Sequence, residues 1–311
     1  MAKVTIIGSG NVGATSALYI AEKRIADVLL IDVVEGLARG KALDAIEAAP
    51  LRHYDTYIEG TEDFSAMVDS DVVVVTAGMP RKPGMSRDDL LQVNAKIMRS
   101  VSEQVARYAP NAVLIVVSNP LDVMCYTALK VTGFALKRVV GMAGVLDSTR
   151  FRYFLADKFG VNVNVTTALV LGGHGDSMVP LPRYTTISGV PIPELLSKDV
   201  IDELVERTRK GGAEIVSYLK TGSAFWAPAA SVSEMVECVV RDKKRILPCS
   251  AYLRGEYGIE GLFIGVPVKL GKNGVEEIVE LSLTKEEREA LATSAAGVRQ
   301  VIEKLEELRI I

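Results

Sequence analysis

Between Lys3 and about Val140, short β-branched apolar runs alternate with longer stretches in which apolar residues recur at helical spacing. The runs predict strands at Lys3–Gly8, Asp27–Asp32, Asp71–Thr76, Ala112–Ser118 and Arg138–Val140. The longer stretches predict helices at Asn11–Lys23, Gly36–Ala49, Asp89–Tyr108 and Leu121–Val131. A run such as Val72-Val73-Val74-Val75 has no polar alternate, as expected of a parallel strand buried on both faces. Strand and helix in turn predict an α/β fold whose N-terminal part is a Rossmann-type, doubly wound parallel sheet.

After about Gly144 the pattern changes. A helix is expected over Asp147–Phe159, then the segments Val163–Leu171 and Met178–Ser188, and further helices over Lys198–Lys220 and Trp226–Asp242. Strands are expected at Arg245–Leu253 and Gly261–Leu270, and a charged amphipathic helix at Lys285–Leu308. This mixture predicts an α+β substrate-binding and catalytic domain over 145–311, following a dinucleotide-binding domain over 1–144. There is no repeat, low-complexity tract or long linker, so the halves should pack closely, with a ligand cleft between them.

Composition narrows the function. The chain has 311 residues, 49% hydrophobic and 24% charged, with a formal net charge of −3. That balance offers no general attraction to nucleic acid or to an anionic membrane, so neither is expected as a partner. No apolar run approaches the roughly 20 residues that span a bilayer. The N-terminus passes directly from Met1 into a strand and a glycine turn, leaving no room for a cleavable signal, so a cytoplasmic protein is expected. Cys125, Cys238 and Cys249 show neither a paired framework nor a metal spacing; they read as reduced thiols, and no metal is expected.

Gly8-Ser9-Gly10-Asn11-Val12-Gly13 matches GxGxxG and stands in the right context, after an apolar strand and at the opening of a helix. Its first glycine makes the tight turn, the second admits a pyrophosphate and the third lets helix and strand pack closely. Asp32 ends the next strand, about 20 residues on, where a carboxylate accepts hydrogen bonds from ribose hydroxyls and repels a 2′-phosphate. Val33 and Val34 follow it without an adjacent arginine, so NAD is the expected cofactor rather than NADP.

Chemistry is expected at His174, one of 2 histidines in the chain, inside Gly172-Gly173-His174-Gly175-Asp176. Imidazole exchanges a proton near neutrality, with an ordinary pKa of about 6.5. The flanking glycines remove side chains that would block a small molecule. The other histidine, His53, has no comparable setting and reads as structural or exposed. Asp147-Ser148-Thr149-Arg150 opens a helix, with Asp147 as N-cap or helix-start acid and Arg150 able to grip a carboxylate with its planar fork. Asn119, in Ser118-Asn119-Pro120, lies at the carboxyl end of a strand. The segment Ala77 to Arg87 is broken by prolines and glycines and carries Arg81, Lys82 and Arg87; it reads as a lid that closes over the site.

Across nearly its whole length, through GSGNVG with Asp32, AGMPRKPGMSR, VSNPLD, DSTR and GGHGD, the chain resembles the lactate/malate dehydrogenase superfamily, in particular its lactate-dehydrogenase-like, malate-oxidising branch. The resemblance implies that His174 is the acid/base and Asp147 its carboxylate partner. It implies that Arg150 binds the substrate C1 carboxylate, Arg87 polarises the reacting carbonyl and Arg81 holds the second carboxylate of malate or oxaloacetate. Asn119 would contact substrate and nicotinamide, while Val117, Ser118, Asn119 and Asn94 would complete the cofactor pocket. It further implies a homo-oligomer, a dimer or a tetramer. Lactate oxidation is the nearest alternative, because the lactate branch shares these roles but has a neutral glutamine in place of Arg81. An arginine buried without a second carboxylate would be an unpaired charge, which favours the dicarboxylate. A catalytically idle dinucleotide-binding protein is the remaining alternative, and it would have no need of His174, Asp147, Arg87 and Arg150 together.

Overall fold

The structure, a computed structural model, describes residues 1–79 and 87–308. The loop residues 80–86, the Arg87 side chain and residues 309–311 lie outside that description, and with them the expected lid, Arg81 and the side-chain role of Arg87. The first half runs β1 (Lys3–Ile7), α1 (Asn11–Glu22), β2 (Asp27–Ile31), α2 (Leu37–Arg52), β3 (Ile58–Thr61), β4 (Val72–Val75), α3 (Arg87–Tyr108), β5 (Val113–Val116), α4 (Leu121–Thr132) and β6 (Val139–Gly141). The second continues with α5 (Gly144–Phe159), the two-residue strands β7 (Thr166–Thr167), β8 (Val170–Leu171), β9 (Val179–Pro180), β10 (Thr186–Ile187) and β11 (Val190–Pro191), then α6 (Lys198–Leu219) and α7 (Trp226–Val240). It ends with β12 (Arg245–Arg254), β13 (Glu260–Gly271), β14 (Gly274–Ile278) and α8 (Lys285–Glu307).

Strands β1 to β6 are parallel and lie in the order β6-β5-β4-β1-β2-β3, the doubly wound arrangement expected from the alternation. Val72 to Val75 are wholly buried, because helices cover both faces of the sheet. Each such side chain contributes about 1.5–3 kcal/mol on burial. In this topology the reversal of strand order falls between β1 and β4, and the loops at the carboxyl ends of these strands form the ligand edge.

Several elements differ from the sequence expectation. The second half does not form its main sheet independently: β12 pairs antiparallel with β6 through Ser250 and Gly141, extending the parallel sheet to nine strands with β13 and β14 beyond it. One core therefore runs through both halves, while a smaller cluster gathers around Phe151, Phe154 and Leu155. Strands β3 and β14 escape the apolar pattern because they are the two edges of the sheet, short and partly polar, and are held by main-chain pairing to one neighbour. The segments 163–171 and 178–188 are not continuous strands but short pairs separated by turns. Helix α5 begins at Gly144 rather than at Asp147, so Asp147 is a first-turn acid and not the cap.

Candidate active site

The turn after β1 shows why its glycines sit where they do. Gly8 has φ +103°, and a Cβ there would meet Ala77 N and Thr76 Oγ1 at 2.7 Å. A Cβ on Gly13 would lie 1.8 Å from the Gly8 carbonyl oxygen, so only glycine lets α1 start this close to β1. Gly10 is different, since a Cβ there meets no protein atom within 4 Å. The space beside it is open at the amino end of α1, where Gly10 is the N-cap and no side chain caps the helix. Free amides and the positive end of the helix dipole then face an open cradle suited to a phosphate.

Asp32 closes the cradle from the end of β2. One oxygen accepts from the Ser9 amide at 2.7 Å and the other from the Val34 amide at 3.0 Å. The Ser9 hydroxyl is buried without a partner. Val33 and Val34 are exposed beside Asp32, and the nearest downstream arginine, Arg39, is held on Glu62. No cation is therefore offered in that turn to a 2′-phosphate. The donor set and the open cradle at Gly10 fit NAD, whose two-electron hydride chemistry the chain's own side chains do not supply.

Two residues expected in the cofactor pocket act as braces. Asn94 is buried, accepts from the Met79 amide at 2.7 Å and donates to Met79 O at 3.2 Å and Asn119 O at 2.9 Å. Its amide is committed to main chain, and it ties the start of the 77–87 segment to the β5–α4 turn. Ser118 donates to Ala77 O at 2.5 Å, and the Val117 amide to Val75 O at 2.9 Å. Asn119 itself is exposed at the carboxyl end of β5, leaving its side chain available to a ligand.

The candidate proton-transfer group is assembled from α5 and the loop between β8 and β9. His174 Nδ1 lies 2.8 Å from Asp147 Oδ2, and the side chains are 14% and 2% exposed. With Nδ1–H donated to the carboxylate, Nε2 carries the free lone pair, the tautomer a base requires. Burial pushes the imidazole pKa down, but the charge and hydrogen bond of Asp147, together with the charge of Asp122, outweigh it and hold His174 above its ordinary value. Arg150, one turn after Asp147 on the same helix face, places Nη1 3.3 Å from Asp147 Oδ1. Its side chain is 13% exposed and Nε is buried without a partner. Burial holds the guanidinium below its ordinary pKa, against the pull of Asp147. A largely buried guanidinium that, among the described residues, shares its counter-charge with a histidine is chemically suited to receive a carboxylate.

Sequence reasoning missed part of this site. Gly211 and Gly212 lie within α6 where Arg150 packs: a Cβ on Gly211 would lie 3.1 Å from Arg150 Cδ, and one on Gly212 3.7 Å from its Nη2. Two adjacent glycines inside a helix cost about 1 kcal/mol each in propensity, a signal that could have marked them. Asp122 and Ser250 were also missed, and both reach the His174 loop or its anchor. His53 is exposed at the end of α2 with φ +58°. The three thiols are free and buried, and burial pushes all of them up, Cys238 to about 11, which makes them poor nucleophiles. Among the described residues no helix is long and apolar enough to cross a membrane, and no group of His, Cys, Asp or Glu side chains is placed to hold a metal ion.

Residues 2–141 match the lactate/malate dehydrogenase NAD-binding domain, and residues 144–309 match the lactate/malate dehydrogenase alpha/beta C-terminal domain. The chain is 58% identical over 306 residues to the malate dehydrogenase of Thermomicrobium roseum, covering 98% of this chain and 99% of that one. It is 57% identical over 299 residues to the malate dehydrogenase of Chlorobium limicola, covering 96% of each. The structure is similar to the apo malate dehydrogenase of Picrophilus torridus, with a TM-score of 0.96 at 48% identity and 98% of each chain covered. It is almost as similar, with a TM-score of 0.95 at 43% identity and 98% of each chain covered, to the lactate dehydrogenase of Cryptosporidium parvum complexed with lactic acid and nicotinamide adenine dinucleotide. Backbone shape therefore does not separate the two substrates.

Proposed function

This chain belongs to the lactate/malate dehydrogenase family, and from that membership we propose how its residues divide the work of an NAD-dependent malate dehydrogenase. The reaction is (S)-malate + NAD⁺ ⇌ oxaloacetate + NADH + H⁺, with NAD taking the hydride from C2. Residues 1–144 bind the cofactor and residues 145–311 carry the substrate site. Gly8 to Gly13, with Ser9, Asn11 and Val12 between the glycines, receive the pyrophosphate, and Asp32 receives the adenosine ribose. Val117, Ser118 and Asn119 flank the nicotinamide, braced by Asn94.

In the oxidation, neutral His174 accepts the hydroxyl proton at Nε2 as the C–H bond at C2 breaks. Asp147 orients the ring through Nδ1 and stabilises the imidazolium; in the reverse direction His174 returns the proton to the carbonyl oxygen. Arg150 fixes the C1 carboxylate, Arg87 polarises the reacting oxygen, and Arg81 receives the second carboxylate. The observation that carries this reading is the His174–Asp147 pair with Arg150 Nε buried and unpaired beside it. A spectrophotometric assay of NADH oxidation with oxaloacetate and with pyruvate tests it. Oxaloacetate should be strongly preferred, Arg81→Gln should move the kcat/KM ratio toward pyruvate, and an unchanged ratio sinks the role of Arg81.

We also propose a cytoplasmic homodimer or homotetramer acting on small dicarboxylates. Exposed apolar side chains at Leu43 and Leu51 on α2, and at Tyr153 and Phe159 on α5, support association with a second copy. Sedimentation equilibrium decides it, and a monomer at micromolar concentration would end the proposal.

A further inference from the structure

Three successive amides of the His174 loop are held by three different elements. Gly172 exchanges both main-chain hydrogen bonds with Gly265 of β13, at 2.9 and 3.1 Å. The Gly173 amide donates at 2.8 Å to Ser294 Oγ of α8, which in turn donates to Ser177 Oγ at 3.0 Å. The His174 amide donates at 3.0 Å to Asp122 Oδ2 of α4. Asp122 is 5% exposed, and its other oxygen accepts from Ser250 Oγ of β12 at 2.6 Å. A Cβ on Gly173 would meet Ser177 Oγ and Val298 Cγ2 at 3.3 Å and Asp122 Oδ2 at 3.4 Å, so the turn is packed closely against its anchors.

Ser294 shows that a neutral oxygen suffices to hold an amide of this loop. A buried carboxylate is a costly way to do the same thing, since removing a charge from water carries a penalty of about several kcal/mol after relaxation. Burial does push the Asp122 carboxyl up, against the Ser250 hydroxyl and the His174 amide that favour its ionised form. Its charge also acts on the imidazole, adding to that of Asp147. Among the described residues, the charged groups facing His174 are Asp147 and Arg150 from α5 and Asp122 from α4; α8, β12 and β13 present the neutral Ser294, Ser250 and Gly265. Cys125 beside Asp122 is held protonated by burial and by that carboxylate.

We propose that Asp122 is a positioning residue for proton transfer, anchoring the main chain of His174 from the cofactor-binding half and supplying a second negative charge to its imidazolium. Asp122 stands in the first turn of α4, two residues after Pro120 and three after Asn119. The turn expected to meet the nicotinamide therefore also sets the position of the base that works opposite it. The proposal rests on the assignment of His174 as the base, which its test examines separately.

Two variants divide the roles. Asp122→Asn keeps an oxygen for the His174 amide and removes the charge, with the Asn N–H donating to Ser250 Oγ in a reversal of the present hydrogen bond; Asp122→Ala removes the anchor as well. Because the chain has 2 histidines, imidazole NMR of the uniformly ¹⁵N-labelled full-length protein follows His174 directly, with His53 as internal reference. Asp122→Asn should lower the His174 midpoint by about 0.5–1 pH unit. The acid limb of kcat/KM for malate oxidation should move down by the same amount, with NADH affinity within about twofold of wild type, the precision of such a titration. Asp122→Ala should lose about 10- to 100-fold in kcat, with partial recovery in the Asn variant. An unmoved His174 midpoint in Asp122→Asn overturns the electrostatic role, and a wild-type kcat in Asp122→Ala overturns the anchor. If Asp122→Ala fails to fold, the near-isosteric Asn variant still decides. His174→Asn with near-normal turnover refutes the base assignment, whereas the NMR shift in Asp122→Asn does not depend on turnover.

Discussion

The two glycines at the amino end of α1 should respond in opposite ways to one added methyl group. At Gly13 the new Cβ would lie 1.8 Å from the Gly8 carbonyl oxygen, well inside the 3.0 Å below which real contacts essentially never fall. The obstacle is main chain at the end of a buried strand, so no rotamer relieves it. Overpacking of this kind costs about 1–3 kcal/mol where side chains can move, and Gly13→Ala should lie at or above the top of that range. At Gly10 the Cβ meets nothing within 4 Å, and φ −66°, ψ −170° suits alanine. Gly10→Ala should leave the stability of the ligand-free protein within about 1 kcal/mol of wild type, because the freedom lost by the unfolded chain is offset by alanine being a poorer N-cap than glycine. The methyl group would instead occupy the space through which a pyrophosphate reaches the helix amides. Loss of one charge-assisted hydrogen bond, about 1.5–3 kcal/mol, corresponds to roughly 10- to 100-fold weaker NADH binding. Calorimetric melting with and without NADH, together with fluorescence titration of NADH, reads both quantities. Wild-type NADH affinity in Gly10→Ala would refute the placement of the cofactor over Gly10, and destabilisation well beyond about 1 kcal/mol without ligand would refute the open space beside it.

The site residues support two further tests. Asp147→Asn should reduce kcat about 10²- to 10⁴-fold with NADH affinity retained. Oxidation needs the neutral ring, so its acid limb marks the His174 pKa, held above the ordinary value chiefly by Asp147 against burial; removing that charge should move the limb to lower pH, and an unmoved limb would contradict the pairing. Gly211→Ala should gain helix propensity, about 1 kcal/mol, yet crowd Arg150 Cδ at 3.1 Å and raise KM for malate without changing KM for NADH. Equal effects on both KM values would show that the glycine serves the fold and not the arginine.

Much of this was legible along the chain because it is local. The β1 turn, its glycines and Asp32 form one contiguous unit, and each glycine is required by neighbours a few residues away or by the adjoining strand. Asp147 and Arg150 lie one helical turn apart, so helical periodicity already puts them on one face. Apolar runs predicted the interior parallel strands, because full burial leaves no polar alternate to confuse the pattern. The same reasoning missed β3 and β14, whose stability comes from pairing with a neighbour rather than from their own hydrophobicity.

Sequence alone determined the cofactor class and the family and pointed to the histidine proposed for proton transfer, since each rests on short motifs whose chemistry depends on residue type and nearby spacing. Tertiary structure decided how the groups act together. It joined β12 to β6 so that both halves share one sheet, brought His174 to Asp147 across 27 positions, and set Asp122 beneath the His174 amide across 52. Such contacts leave no periodic trace, because a hydrogen bond between distant segments depends on where the packed core places two backbones. A carboxylate in the first turn of α4 therefore looks like an ordinary helix-start acid until the fold shows which amide it holds.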